Sequence, residues 1–260
     1  MKGVIFMQKK VSSRMVVQCA LFLAIGLVLR NFSYMVSMGG GTGMRIGFSG
    51  IFVKLPSVIF GPLFGGLTCG LYDFLGAIIK PEGAYIFPLT LTAAAGGVMY
   101  GFVYDFLKNK DSQGIKKVYF SLVVLSAVLG IFNHLCTLYW PSGFWGGWLI
   151  SLGKKTGFFT FGFYALSIVG ILFYIINAVI EKKTKADFFD SYLKIFLTLL
   201  ICDIPVTTAN TFILIKFIPV LGKLGFFAYY LPRITEEIFM VFVTSYFMTY
   251  FYKIYKKIFG

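Results

Sequence analysis

The chain has 260 residues, 58% of them hydrophobic and only 13% charged, with 24 Lys and Arg against 10 Asp and Glu. An ordinary soluble domain carries about a quarter charged residues and a disordered chain has low hydrophobicity, so both classes are excluded. What remains is an all-α polytopic membrane protein, its 31 Phe and 16 Tyr suited to lipid-facing helices with aromatic interfacial belts.

The net charge of +14 has an address. Lys9, Lys10 and Arg14 precede the first apolar run; Lys108, Lys110, Lys116 and Lys117 form a second cluster, Lys182, Lys183, Lys185 and Lys194 a third, and Lys253, Lys256 and Lys257 close the chain. Alternate loops are far poorer in Lys and Arg, which is the positive-inside pattern that orients helices. The basic excess therefore does not predict nucleic-acid binding.

A spanning helix needs about 20 mostly apolar residues. Residues 15–34 qualify, with Arg30 near the outer end, and no small-residue cleavage site follows the basic start, so the segment reads as an uncleaved first helix. Residues 37–44 (SMGGGTGM) are too glycine-rich for a helix and predict an external loop. Residues 46–60 form a short span containing Lys54, broken at Gly61-Pro62, and 63–79 return outward to a turn at Lys80-Pro81-Glu82-Gly83. Residues 85–107 come back in, and 108–117 form a polar cytoplasmic loop. Residues 118–140, 156–180, 195–217 and 231–252 supply four more spans. With about eight spans and both termini cytoplasmic, every basic cluster falls inside. Residues 145–153 are apolar and read as an interfacial or re-entrant segment. A single integral membrane domain, 1–260, is expected.

Charges within spans are the functional candidates, since each costs about 2.5–3.5 kcal/mol at a helix centre. Lys54 and Asp73 flank the Gly61-Pro62 turn at depths about 7 Å apart, at 1.5 Å per residue, which fits either a buried pair or a ligand contact. Asp203, followed by Pro205, Thr207, Thr208 and Asn210, either lines a cavity or pairs with Lys54. Arg233, Glu236 and Glu237 share one helix face and read as headgroup-seeking or ligand-facing. The four cysteines sit singly, none in a CxxC pair, and His134 has no ligand partner at metal spacing, so no metal or cofactor is predicted. Hydrolase, metalloprotease and Walker signatures are absent; the chain is not expected to be an enzyme, and active transport would draw on an ion gradient or on partners.

The series Met44-Arg45-Ile46-Gly47-Phe48, Phe60-Gly61-Pro62-Leu63-Phe64-Gly65-Gly66, Tyr72-Asp73-Phe74-Leu75-Gly76, Gly83-Ala84-Tyr85-Ile86-Phe87-Pro88 and Thr90-Leu91-Thr92-Ala93 resembles the substrate-binding S components of energy-coupling factor (ECF) vitamin transporters, specifically the folate-type group. Asn210-Thr211 and Leu231-Pro232-Arg233-Ile234 are similar to later elements of that group. The resemblance implies a six-helix core over 10–107 and 191–257, with an inserted helical hairpin over 117–181. It implies capture of folate or a related vitamin outside a bacterial plasma membrane and delivery inward, with a transmembrane T subunit and two cytoplasmic ATPases as partners. Arg45 and Arg233 would face a carboxylate, Phe48, Tyr85 and Phe87 would stack on a flat ring, and Asn210 would read its hydrogen-bonding edge. Lys54, at an apolar family position, and Glu236, where the group tends to carry a basic residue, would complete the binding set. Ala20 and Ala24, one turn apart, form a small-residue face that would meet the T subunit. Two rival functions are a secondary transporter coupled to an ion through Lys54, Asp73 and Asp203, and a membrane enzyme acting on lipid.

Overall fold

The computed structural model describes residues 12–37, 43–81, 83–151, 156–184, 188–222 and 226–259. The expected loop tip at 38–42, Glu82, residues 152 and 153 of the apolar 145–153 segment, and Lys9, Lys10 and Lys185 lie outside the described residues. Among the described residues ten helices follow in order: α1 Ser13–Asn31, α2 Ser49–Phe60, α3 Pro62–Ile79, α4 Phe87–Leu107, α5 Ser112–Tyr139, α6 Phe144–Ser151, α7 Thr156–Thr184, α8 Phe188–Phe217, α9 Pro219–Gly222 and α10 Phe226–Phe259. Two short antiparallel strands, β1 Tyr34–Ser37 and β2 Gly43–Ile46, pair between α1 and α2 with Met35 opposite Arg45. They flank the glycine-rich stretch that the sequence marks as a loop.

Six helices, α1, α3, α4, α5, α7 and α8, are long and apolar enough to cross a membrane. The 12-residue α2 reaches only about 18 Å. The 34-residue α10 is long enough to span and carries Arg233, Glu236 and Glu237 inside its first half. Helices α5, α8 and α10 begin or end beyond the uncharged runs because their polar extensions keep helical geometry past the membrane boundary. The apolar segment after α5 forms α6, whose eight residues cover about 12 Å, too short to cross. Its Trp145 indole donates to Asn133 at 3.0 Å, tying α6 back to α5.

Local chemistry explains the joints. Gly61 sits at φ +97° between α2 and α3, a left-handed conformation that glycine adopts without a Cβ penalty, and Pro62 opens α3 where no backbone donor is lost. Helices α3 and α4 approach so closely that a Cβ on Gly65 or Gly97 would meet the other's carbonyl oxygen, the small-residue packing that lipid-embedded helices favour.

The hydrophobic core is concentrated toward the end carrying the basic clusters. Tyr119 of α5, Tyr192 and Phe196 of α8 and Phe242 of α10 are fully buried and meet edge to face or tilted, with ring centroids 4.7–6.1 Å apart. Phe173 of α7 stacks on Tyr246 of α10 at 4.8 Å. Helices α5 and α7 are pinned together by Tyr119 donating to the Gly170 carbonyl at 2.7 Å and by a Ser126–Ser167 contact at 2.7 Å. The hairpin is thus packed onto α8 and α10.

Candidate ligand-binding cavity

At the opposite end the bundle is hollow. A cavity of about 670 Å³ lies in the range of small-molecule sites, about 300–1,000 Å³. Its described lining comes from α1 to α4, α8 and α10, with the 83–86 connection and Ile218 at the rim. Helices α5, α6 and α7 contribute none of that lining.

The deepest polar feature joins three helices. Lys54 of α2 donates to both carboxylate oxygens of Asp203 on α8, at 2.7 and 2.9 Å, and Tyr100 of α4 donates its hydroxyl to the same carboxylate. The ammonium also sits 5.1 Å from the Tyr100 ring centroid. One turn along α8, Thr207 donates to Glu237 of α10 at 3.0 Å. Glu236 lines the cavity beside it and accepts no hydrogen bond among the described residues.

Arg233 lies one turn toward the rim. Its guanidinium donates to the Tyr229 hydroxyl at 2.8 Å and covers the Tyr229 ring at 5.2 Å, so a phenol rather than a carboxylate holds it. Asn210 on α8 accepts from the Thr92 hydroxyl of α4, which leaves its NH₂ as the available donor. Across the cavity, Thr90 donates to Asp73 at 2.6 Å and takes a hydrogen bond from the Tyr85 hydroxyl at 2.8 Å.

The described lining carries three cations, Arg30, Lys54 and Arg233, and four carboxylates, Asp73, Asp203, Glu236 and Glu237. A plain anion trap would be dominated by cations. This balance suits a ligand that presents hydrogen-bond donors on one part and acceptors on another.

Residues 14–182, well over half of the chain, match the family of ECF transporter substrate-specific components. The chain belongs to this family.

The relatives agree in kind. A folate transporter, FolT, of Clostridium novyi (strain NT) is 35% identical over 88 residues, 34% of this chain and 49% of its own length. A FolT of Leuconostoc mesenteroides subsp. mesenteroides is 28% identical over 139 residues, 51% of this chain and 72% of its own. The match therefore spans about half the length of the first relative. No solved structure matches this chain. As an S component, the protein is an integral membrane subunit of a transport system, in a family of binding subunits rather than catalysts.

For this S component the structure brings Lys54, Tyr85, Asn210, Arg233 and Glu236 to one cavity. Phe48 and Phe87 do not line it. Phe48 is 56% exposed and packs edge to face on Phe247 of α10 at 5.8 Å, and Phe87 is 57% exposed in an apolar groove on the outer face of α3 and α4. Both sit one residue before or at a helix start, where the ring turns toward lipid. Arg45 lies on β2, and its side chain is outside the described residues. Lys54 pairs with Asp203; Asp73 bonds to Thr90 instead.

Sequence reasoning did not assign Arg30, Tyr72, Tyr100 and Tyr229 to the site, and it named Thr207 only within the polar stretch after Asp203 that could line a cavity, although all five line it. The tyrosines were indistinguishable from belt residues. Thr207 had a usable signal, since it lies one helical turn from Asp203 and shares its face.

Proposed function

We propose that this S component captures folate or a closely related ring-bearing vitamin outside the cell and hands it inward, working with a T subunit and two cytoplasmic ATPases. The observation that carries the reading is the cavity of about 670 Å³ with both signs of charge, placed at the bundle end opposite the basic clusters. The positive-inside rule puts that end outside and both termini in the cytoplasm. The names of the two FolT relatives support a folate-like ligand.

Folate chemistry matches the wall. The pterin ring of folate carries an amino group beside a lactam N–H, an edge for Glu236, and Asn210 offers an amide donor to the ring carbonyl. Tyr85 supplies an aromatic face, and Arg233 or Arg45 takes an acidic tail, the geometry for which a guanidinium is suited. Ala20 and Ala24 are exposed on α1 beside Val17, Leu21 and Val28, a free small-residue face on which the T subunit docks.

The test is ligand release. Protein purified in mild detergent is denatured, and the released small molecules are identified by mass spectrometry. Folate or a related heterocyclic vitamin supports the reading. Protein that releases nothing and shows no thermal shift with a vitamin panel counts against it. Concentrative uptake that persists in vesicles holding this chain alone would instead favour an ion-coupled transporter.

A further inference from the structure

We propose that Arg30 is the anion-binding group at the mouth of this cavity and takes a carboxylate of the captured ligand. The proposal rests on the capture reading above and adds a further guanidinium for the acidic tail, which carries two carboxylates.

Arg30 is the penultimate residue of α1 and is only 7% exposed, yet it lines the cavity. Its guanidinium lies 5.3 Å from the centroid of the Tyr72 ring, and Tyr72 is itself fixed by donating to Ser49 at 2.7 Å. The guanidinium enters no ion pair among the described residues. Its Nε is buried without a hydrogen-bond partner. A buried charge without a partner is costly, and structural arginines in apolar surroundings are paired. Two features favour a guanidinium at this place: the ring beneath it and the C-terminal end of α1, where carbonyl groups attract a cation. Neither satisfies Nε.

The seat is also shaped for the side chain. A Cβ on Gly76 of α3 would coincide with the Arg30 guanidinium, so the glycine makes the room that the group occupies. A headgroup anchor would project from the outer face of the bundle. Arg30 instead turns inward over Tyr72, on the opposite side of α1 from Leu21 and Val28, each 59% exposed. What is missing from this arrangement is a planar, two-oxygen acceptor, and a ligand carboxylate supplies it.

The test compares wild type with Arg30→Gln and Gly76→Ala, using folate and its tail diamide, in which both tail carboxylates are neutral amides. In wild type the diamide should bind about 10- to 100-fold more weakly than folate, the range for a charge-assisted hydrogen-bond pair. Arg30→Gln should lose a similar factor on folate and show a smaller difference between folate and diamide than wild type, the remainder being the share of Arg233 or Arg45. Gly76→Ala should behave alike, because it displaces the guanidinium while keeping its charge. If Arg30→Gln weakens both compounds equally, or neither, the proposal is overturned. A second arm needs no ligand: the ligand-free Arg30→Leu protein should melt at or above the wild-type temperature, since an unmatched charge has been removed. A lower melting temperature would make Arg30 a structural residue and overturn the assignment. Wild-type protein that ignores folate but passes this second arm refutes the folate reading and keeps Arg30 as an anion site for another acid.

Discussion

Lys54 and Asp203 are 149 residues apart in the chain and 2.7 Å apart in the fold. The pair joins α2 to α8 across the bundle, and Tyr100 brings α4 to the same carboxylate. Three of the helices that wall the cavity therefore meet at one buried charge, so its integrity governs both the shape of the cavity and the stability of the bundle.

Removing one partner leaves the other buried and uncompensated, at a cost of about 3–5 kcal/mol. Lys54→Met and Asp203→Leu should each lower the unfolding temperature markedly. The double replacement should recover most of the loss, because two apolar side chains of suitable volume can substitute for a buried pair. Thermal unfolding in detergent, read as a double-mutant cycle, checks this. Additive losses would mean that the two residues do not depend on each other.

Glu236 makes no hydrogen bond among the described residues and faces the cavity. Glu236→Gln removes the carboxyl group but keeps a carbonyl acceptor and the volume. Affinity for folate should fall by about 10- to 150-fold, the equivalent of the roughly 1.5–3 kcal/mol of a charge-assisted hydrogen bond, while the ligand-free melting temperature should hold or rise. Equilibrium titration alongside thermal unfolding separates the two effects.

The α1 face offers a cleaner separation of capture from transport. Ala20→Leu with Ala24→Leu adds bulk on an exposed surface outside the cavity lining. Ligand affinity of the isolated subunit should be unchanged, whereas co-purification with the T subunit and ATPases should be lost. A double variant that assembles normally would move the docking surface elsewhere.

Helices α3 and α4 depend on the absence of side chains at Gly65 and Gly97. Gly97→Val forces a branched side chain into the Gly65 backbone, and overpacking of this kind costs about 1–3 kcal/mol or more. A matched Gly114→Val exchange, at a site with open space, should be far milder. Melting temperatures of the two variants make the comparison.

Tyr119 tests whether the α5–α7 hairpin is integral. Tyr119→Ala should destabilise by about 3–5 kcal/mol, while Tyr119→Phe should cost only about 1 kcal/mol through its bond to Gly170. If the alanine variant melts like wild type, the hairpin is an appendage.

The spans were legible because runs of apolar residues and basic clusters are local signals. The short α6 was also visible as an apolar stretch that did not fit a span. For Lys54 the sequence offered two partners, Asp73 and Asp203, without deciding between them: depth arithmetic allows Asp73, but α3 turns Asp73 toward Thr90 on α4 and Asp203 takes the ammonium. That choice is made by helix rotation, which a sequence with apolar residues on nearly every face does not encode. Arg30 was placed at the outer end of the first helix but given no role in the site, for a related reason. A charge in the last turn of a helix reads as an interfacial anchor, and only its inward rotation over Tyr72 shows otherwise. Phe48 and Phe87 erred in the other direction, since their place within a family-like series said nothing of which way the rings turn.

The uneven distribution of mass along the bundle has a mechanical consequence. Toward the basic end, interlocked rings of α5, α7, α8 and α10 leave little free volume; toward the other, the far halves of α8 and α10 join α1 to α4 around an open chamber. Deformation concentrates where contacts are sparse, so the long helices α8 and α10 act as levers clamped at one end. Their free halves, softened by Pro205 and Pro232, can close around an occupant without disturbing the clamp. Amide hydrogen exchange should accordingly report slow, occupant-independent protection around Tyr192 and Phe242, and protection around Thr207 and Glu237 that rises when the chamber is filled.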